Sequence, residues 1–146
     1  MSTSKPWIAI APEAEATGDL RRAYDKILAT RGRIPDIRSV MAGEPLTIEG
    51  FAYFYPENNY ACTSIDRRLS ELIATVVGVA NESPLGGPAH ARQLARITGD
   101  EALAQAVRRD YKTAGLPAKE VTLLDYVWKL TKTPGAMTEA DVDGLR

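Results

Sequence analysis

The chain has 146 residues, a length that suits one domain with a buried core rather than two. Its 18 basic and 19 acidic residues leave a net charge of −1, and the basic ones are scattered rather than striped, so no long-range field draws nucleic acid or an anionic membrane. A single cysteine, Cys62, excludes an intramolecular disulfide, and the longest strongly apolar stretch, Leu72 to Ala80, is about half of a membrane span.

Residues 1–16 are polar and proline-containing, an N-terminal arm with Trp7, Ile8 and Ile10 as candidate packing anchors. Its first residues lack the apolar run of a signal peptide, which gives a cytoplasmic expectation. Thr17 offers an N-cap, after which Leu20, Ala23, Tyr24, Ile27 and Leu28 recur at helical spacing until Gly32. A short helix is expected from Pro35 to Gly43, and another from Pro45 carries Phe51 and Phe54 towards Pro56. Glu57 to Thr63 reads as a loop, and Ser64 is the expected cap of the next helix. That helix has the clearest apolar stripe in the chain: Leu69, Leu72, Ile73, Val76, Val77 and Ala80. Asn81 to Pro88 is a break. Helices follow from Pro88 to Thr98, over 100–114 and over 117–132, with Gly99 and Gly115 as punctuation. Thr138 and Asp141 resemble a capping box opening a final short helix. Two turns are marginal alone, so either this end packs on a partner subunit or the natural chain runs on. No segment alternates long enough for a strand, and the expected class is all-α, with residues 17–146 as one helical domain.

Most of the chemical information lies between Ser64 and Leu94. Glu71 lies on the apolar helix, where a buried carboxylate needs a partner. His90, the one histidine, lies on the following helix and is the natural candidate. Such a pair is either a general acid/base or an ion pair that fixes two helices together. Ser83 before Pro84 reads first as a helix N-cap and second as a nucleophile, for which no oxyanion donor is identifiable. Gly86 and Gly87 shape the turn and offer N–H groups to an anion. Phe51, Tyr53, Phe54, Tyr55 and Tyr60 precede this region. They suit core packing or a subunit contact, with Phe54 and Tyr60 as candidate walls of a pocket over His90.

The spacing from Arg68-x-x-Glu71 through Ser83-x-x-Gly86 to His90 resembles the peroxidase-related branch of the alkylhydroperoxidase D/carboxymuconolactone decarboxylase superfamily. The resemblance continues in Ile27–Asp36 and Thr131–Val142, so it covers most of residues 17–146. It implies an alkylhydroperoxidase D-like helical bundle and a homo-oligomer, whether trimer, hexamer or dimer. The family's Glu and His fall on Glu71 and His90, but its C-x-x-C pair falls on Ser83 and Gly86. A hydroxyl has no accessible oxidised state and glycine no side chain, so dithiol peroxidase chemistry is excluded at this position. The expectation is then non-redox acid–base chemistry of lyase, isomerase or hydrolase type on a small organic acid or carbonyl compound, with Glu71, His90 and Ser83 as the catalytic candidates. The alternatives are a catalytically inactive small-molecule-binding or assembly subunit, and a peroxidase-related antioxidant by family alone. No cofactor is expected, and one histidine with one cysteine gives too few ligands for a metal.

Overall fold

The computed structural model describes residues 7–54 and 65–146, with 52–54 by their backbone. Among the described residues every regular element is a helix or a 3₁₀ turn, so the chain is all-α. Contacts fall into two compact units, Met1–Asn59 and Tyr60–Arg146.

In the first unit, α1 (Gly18–Arg31) follows Thr17, which takes the extended N-cap backbone without a side-chain bond. It stops at Gly32, whose φ of 68° is the left-handed conformation that glycine adopts without strain. Pro35 precedes the one-turn α2 (Asp36–Ser39), shorter than the helix expected up to Gly43; turns cover the rest. Next comes α3 (Pro45–Phe54). Ala16, Ala23, Tyr24, Ile27, Ala42 and Ile48 form the core. Trp7, Ile8 and Ile10 are exposed and do not anchor the arm. The Tyr24 hydroxyl does so instead, donating to the Ala11 carbonyl at 3.0 Å while Ala16 is buried. Burial of that phenol raises its pKa, so it stays a donor.

The second unit is a helical hairpin with two further helices packed on it. Its elements are α4 (Arg67–Ala80), α5 (Gly86–Thr98), α6 (Glu101–Asp110), a 3₁₀ turn (Tyr111–Thr113), α7 (Ala118–Lys132) and α8 (Glu139–Asp143). The cap of α4 is Asp66, whose side chain accepts from the Leu69 N–H at 2.7 Å. The expected cap, Ser64, lies outside the described residues, as does the expected loop over 57–63. Leu72, Val76, Ala91, Leu94, Ala104, Val107, Leu124 and Val127 interlock from four helices. Each of the larger side chains contributes about 1.5–3 kcal/mol by leaving water.

At its far end α4 closes with two nested bonds, Glu82 N–H to the Val79 carbonyl and Ser83 N–H to the Gly78 carbonyl, both 2.9 Å. Glu82 takes the left-handed position usually given to glycine, with φ of 53°. Two residues ahead of the expected Pro88, α5 begins at Gly86. Gly78 explains why two glycines are helical here. An added Cβ at Gly78 would lie 2.3 Å from the Gly87 nitrogen, so the two backbones touch where neither carries a side chain. The predicted capping box at α8 is present, Thr138 and Asp141 bonding reciprocally.

Candidate functional site

Positions 71, 75 and 78 lie on one face of α4, since they are spaced by four and three residues. That face meets α5 through the Gly78–Gly87 approach. The register carries Glu71 into the interior, with 2 % exposure, and Thr75 to complete burial. The Thr75 hydroxyl is occupied by the Glu71 backbone carbonyl at 2.7 Å, so it makes no demand on the carboxylate. One turn beyond Gly87, His90 reaches across the hairpin, and its Nδ1 lies 2.8 Å from Glu71 Oε2. The other carboxylate oxygen has the Arg67 guanidinium 3.9 Å away, one helical turn earlier.

This arrangement is asymmetric. Glu71 is sealed, whereas the His90 side chain is 31 % exposed. A carboxylate only accepts hydrogen bonds, so Nδ1 is the donating nitrogen and Nε2 takes no part in the contact. The buried member orients the ring, and the ring itself is only partly covered.

Ser83 is not brought into hydrogen bonding with His90. Its Oγ accepts from the Gly86 N–H at 2.9 Å within the turn, while the N-cap position of α5 is Leu85 rather than the expected Ser83, and no base is hydrogen-bonded to the hydroxyl among the described residues. Gly86 therefore spends its N–H within the turn, and Gly87 is buried against α4. Phe54 closes α3, but its side chain lies outside the described residues, as do the Tyr53 side chain, Tyr55, Tyr60 and Cys62. Phe51 is described: the Arg38 guanidinium sits over its ring, 3.9 Å from the centroid.

Arg67 was missed by the sequence reading, though it had a signal, the i to i+4 spacing to Glu71. A second polar cluster had none. Tyr111 donates to Asp125 Oδ1 at 2.6 Å, and Lys112 Nζ lies 3.0 Å from the same oxygen. Burial works to raise the Asp125 carboxyl, but the bonds from Tyr111 and Lys112 outweigh it and hold it below the usual range. Burial, reinforced by Asp125, pushes the Tyr111 phenol well above its ordinary value. Among the described residues no group of three or more histidine, cysteine, aspartate or glutamate side chains is placed to hold a metal, and no helix is long and apolar enough to cross a membrane.

No family model matches the chain, and no curated protein matches it. Solved structures do. The fold superposes on an alkylhydroperoxidase D-core, peroxidase-related protein from Ralstonia eutropha JMP134 with a TM-score of 0.81 and 21 % identity, over 98 % of this chain and 76 % of that one. A peroxidase-related protein from Silicibacter sp. TM1040 gives a TM-score of 0.80 and 24 % identity, over 99 % and 78 %. Both are described as uncharacterized. The chain thus has the alkylhydroperoxidase D-like helical fold that its motif spacing resembles.

Proposed function

We propose that this chain uses His90 as a general acid/base on a small organic acid or carbonyl compound, with Glu71 as the residue that positions it. The single observation behind this is the 2.8 Å contact between a sealed carboxylate and a half-exposed imidazole. A buried partner on Nδ1 fixes ring orientation and tautomer, and Nε2 is left to take or give a proton. The reaction class is lyase, isomerase or hydrolase-like, without electron transfer, because Ser83 and Gly86 stand where the resemblance puts a thiol pair. In this reading Ser83, Gly86 and Gly87 build the turn that sets the register, and the homo-oligomer implied by the resemblance supplies the surroundings.

The 2 % exposure of Glu71 also favours a second reading, in which the pair only clamps α5 to α4. One experiment separates them. A panel of small carboxylates, ketones and lactones is incubated with the protein in deuterated water and followed by proton NMR. Acid–base function predicts exchange or turnover of at least one compound, reduced by about 10²-fold or more in His90→Gln. Glu71→Gln should retain the fold and lose much of the rate. No exchange across the panel, or equal rates in His90→Gln and the parent, would leave only the clamp.

A further inference from the structure

Away from Glu71 and His90, neither of which lines it, a half-open groove of about 490 Å³ runs between α4, the turn after α6, and α7. Small-molecule sites occupy roughly 300–1,000 Å³, with mostly apolar walls and a few polar groups. The walls fit that description. Val76 and Val79 come from α4 and Val107 from α6, while Trp128 stands on α7 with its ring 6.0 Å from that of Tyr111 and tilted by 41°.

The charges at the rim decide what the groove would hold. Four charged residues line it: Arg109, Asp110, Lys112 and Asp125. Both carboxylates are already engaged. Asp125 takes the Tyr111 hydroxyl and Lys112 Nζ, and Asp110 accepts the Lys112 N–H at 3.0 Å and the Thr113 hydroxyl at 3.1 Å. Lys112 is spent on Asp125. Arg109 makes no hydrogen bond or ion pair among the described residues, so its guanidinium is the charge left for a ligand.

We propose that this groove binds a small carboxylate with an apolar or aromatic body, the body lying on the partly exposed Trp128 and Val79 and the anion on Arg109. A planar guanidinium matches a carboxylate two-pronged, which an ammonium does not. An amine would meet carboxylates that are already satisfied, and a neutral ligand would leave Arg109 unanswered. The proposal does not rest on the acid–base reading and stands or falls by binding alone.

Phenylacetate is the probe. The chain has 2 tryptophans, so Trp7→Phe leaves Trp128 as the sole indole reporter. Titration should give a saturable change in Trp128 emission, confirmed by calorimetry. Phenylacetamide and 2-phenylethylamine, similar in shape but neutral and cationic, should bind about tenfold or more weakly, as should phenylacetate to Arg109→Ala; this is the size of one charge-assisted bond. Arg109 is exposed, so that variant keeps its fold, and circular dichroism checks it. Arg109→Lys should recover part of the loss, and His90→Gln should bind phenylacetate unchanged. The proposal is overturned by the absence of saturation at millimolar phenylacetate, by equal affinity for the amide, or by indifference to Arg109→Ala. It is equally overturned if the groove is the contact face of a dimer, seen as self-association that excludes phenylacetate and is weakened by Arg109→Ala.

Discussion

A Cβ added at Gly86 would lie 3.4 Å from Ser83 Cβ and 3.0 Å from Ser83 Oγ, and its next neighbour, Gly78 Cα, is at 3.7 Å. Disulfides span roughly 3.5–4.5 Å between Cβ atoms, so the turn holds these positions almost at bonding geometry while carrying neither sulfur. Ser83→Cys with Gly86→Cys should therefore oxidise readily, reporting two fewer free thiols than its reduced form in a thiol assay and leaving Cys62 as the remaining one. The parent chain, given peroxide and a dithiol reductant, should consume none above background. A double variant that stays reduced in air would contradict the turn geometry, and a parent rate abolished by Cys62→Ser would contradict the exclusion of thiol chemistry.

Between elements, the α4–α5 contact is the feature on which the candidate site depends, and glycine decides it. At Gly78 the added Cβ would meet backbone, with the Gly87 nitrogen at 2.3 Å and its Cα at 2.6 Å, and backbone cannot rotate away. At Gly87 the nearest atom would be 3.4 Å away, ordinary packing. Gly78→Ala should then destabilise by about 3 kcal/mol despite the ~1 kcal/mol helix-propensity gain of alanine. Gly87→Ala should fall within about 1 kcal/mol of the parent. Urea unfolding of both measures the contrast, and equal costs would refute the close approach. This contact also shows where sequence reading stops. The stripe on α4 and the turn glycines announce a helical hairpin, and the spacing of Glu71 and His90 announces their meeting. Nothing in spacing reveals that Gly78 must touch Gly87, because that depends on the crossing of two helices. The same limit explains the start of α5: Gly-Gly-Pro reads as a break, but the Gly86 N–H finds Ser83 Oγ and tight packing against Gly78 makes those glycines helical. Asp66 was passed over as a cap because Ser64 stands two residues earlier with equal chemistry. Tyr111 and Asp125 come from separate elements, so the groove they help to line had no signature in sequence.

Over the molecule as a whole the charge is nearly balanced, and its ion pairs do their work through position rather than number. In the second unit two of them, together with one lysine–carbonyl hydrogen bond, tie α7 to its neighbours. Arg68 grips Glu120 with two bonds of 2.6 and 3.1 Å, Lys132 donates to the Ala80 carbonyl at 2.9 Å, and Lys129 holds Asp141 at 2.6 Å. The first two join α7 to both ends of α4; the third secures the short α8, whose 5 residues could not hold it alone. Asp141 is the acid-sensitive member. Its bond from Lys129, then those from the Thr138 hydroxyl and N–H, lower its pKa from 3.8 to about 2. A depressed carboxyl favours the folded state only while ionised, so its contribution is complete above the ordinary value near 4 and is lost as pH falls through about 2. Carboxyl-carbon NMR should place the Asp141 midpoint near 2, and Lys129→Gln should move it back towards the ordinary value. Amide exchange in α8 should quicken over the same acid window while that of α4 does not. A midpoint near 4 in the parent chain would mean that the Lys129 contact does not hold in solution, and α8 would need another anchor.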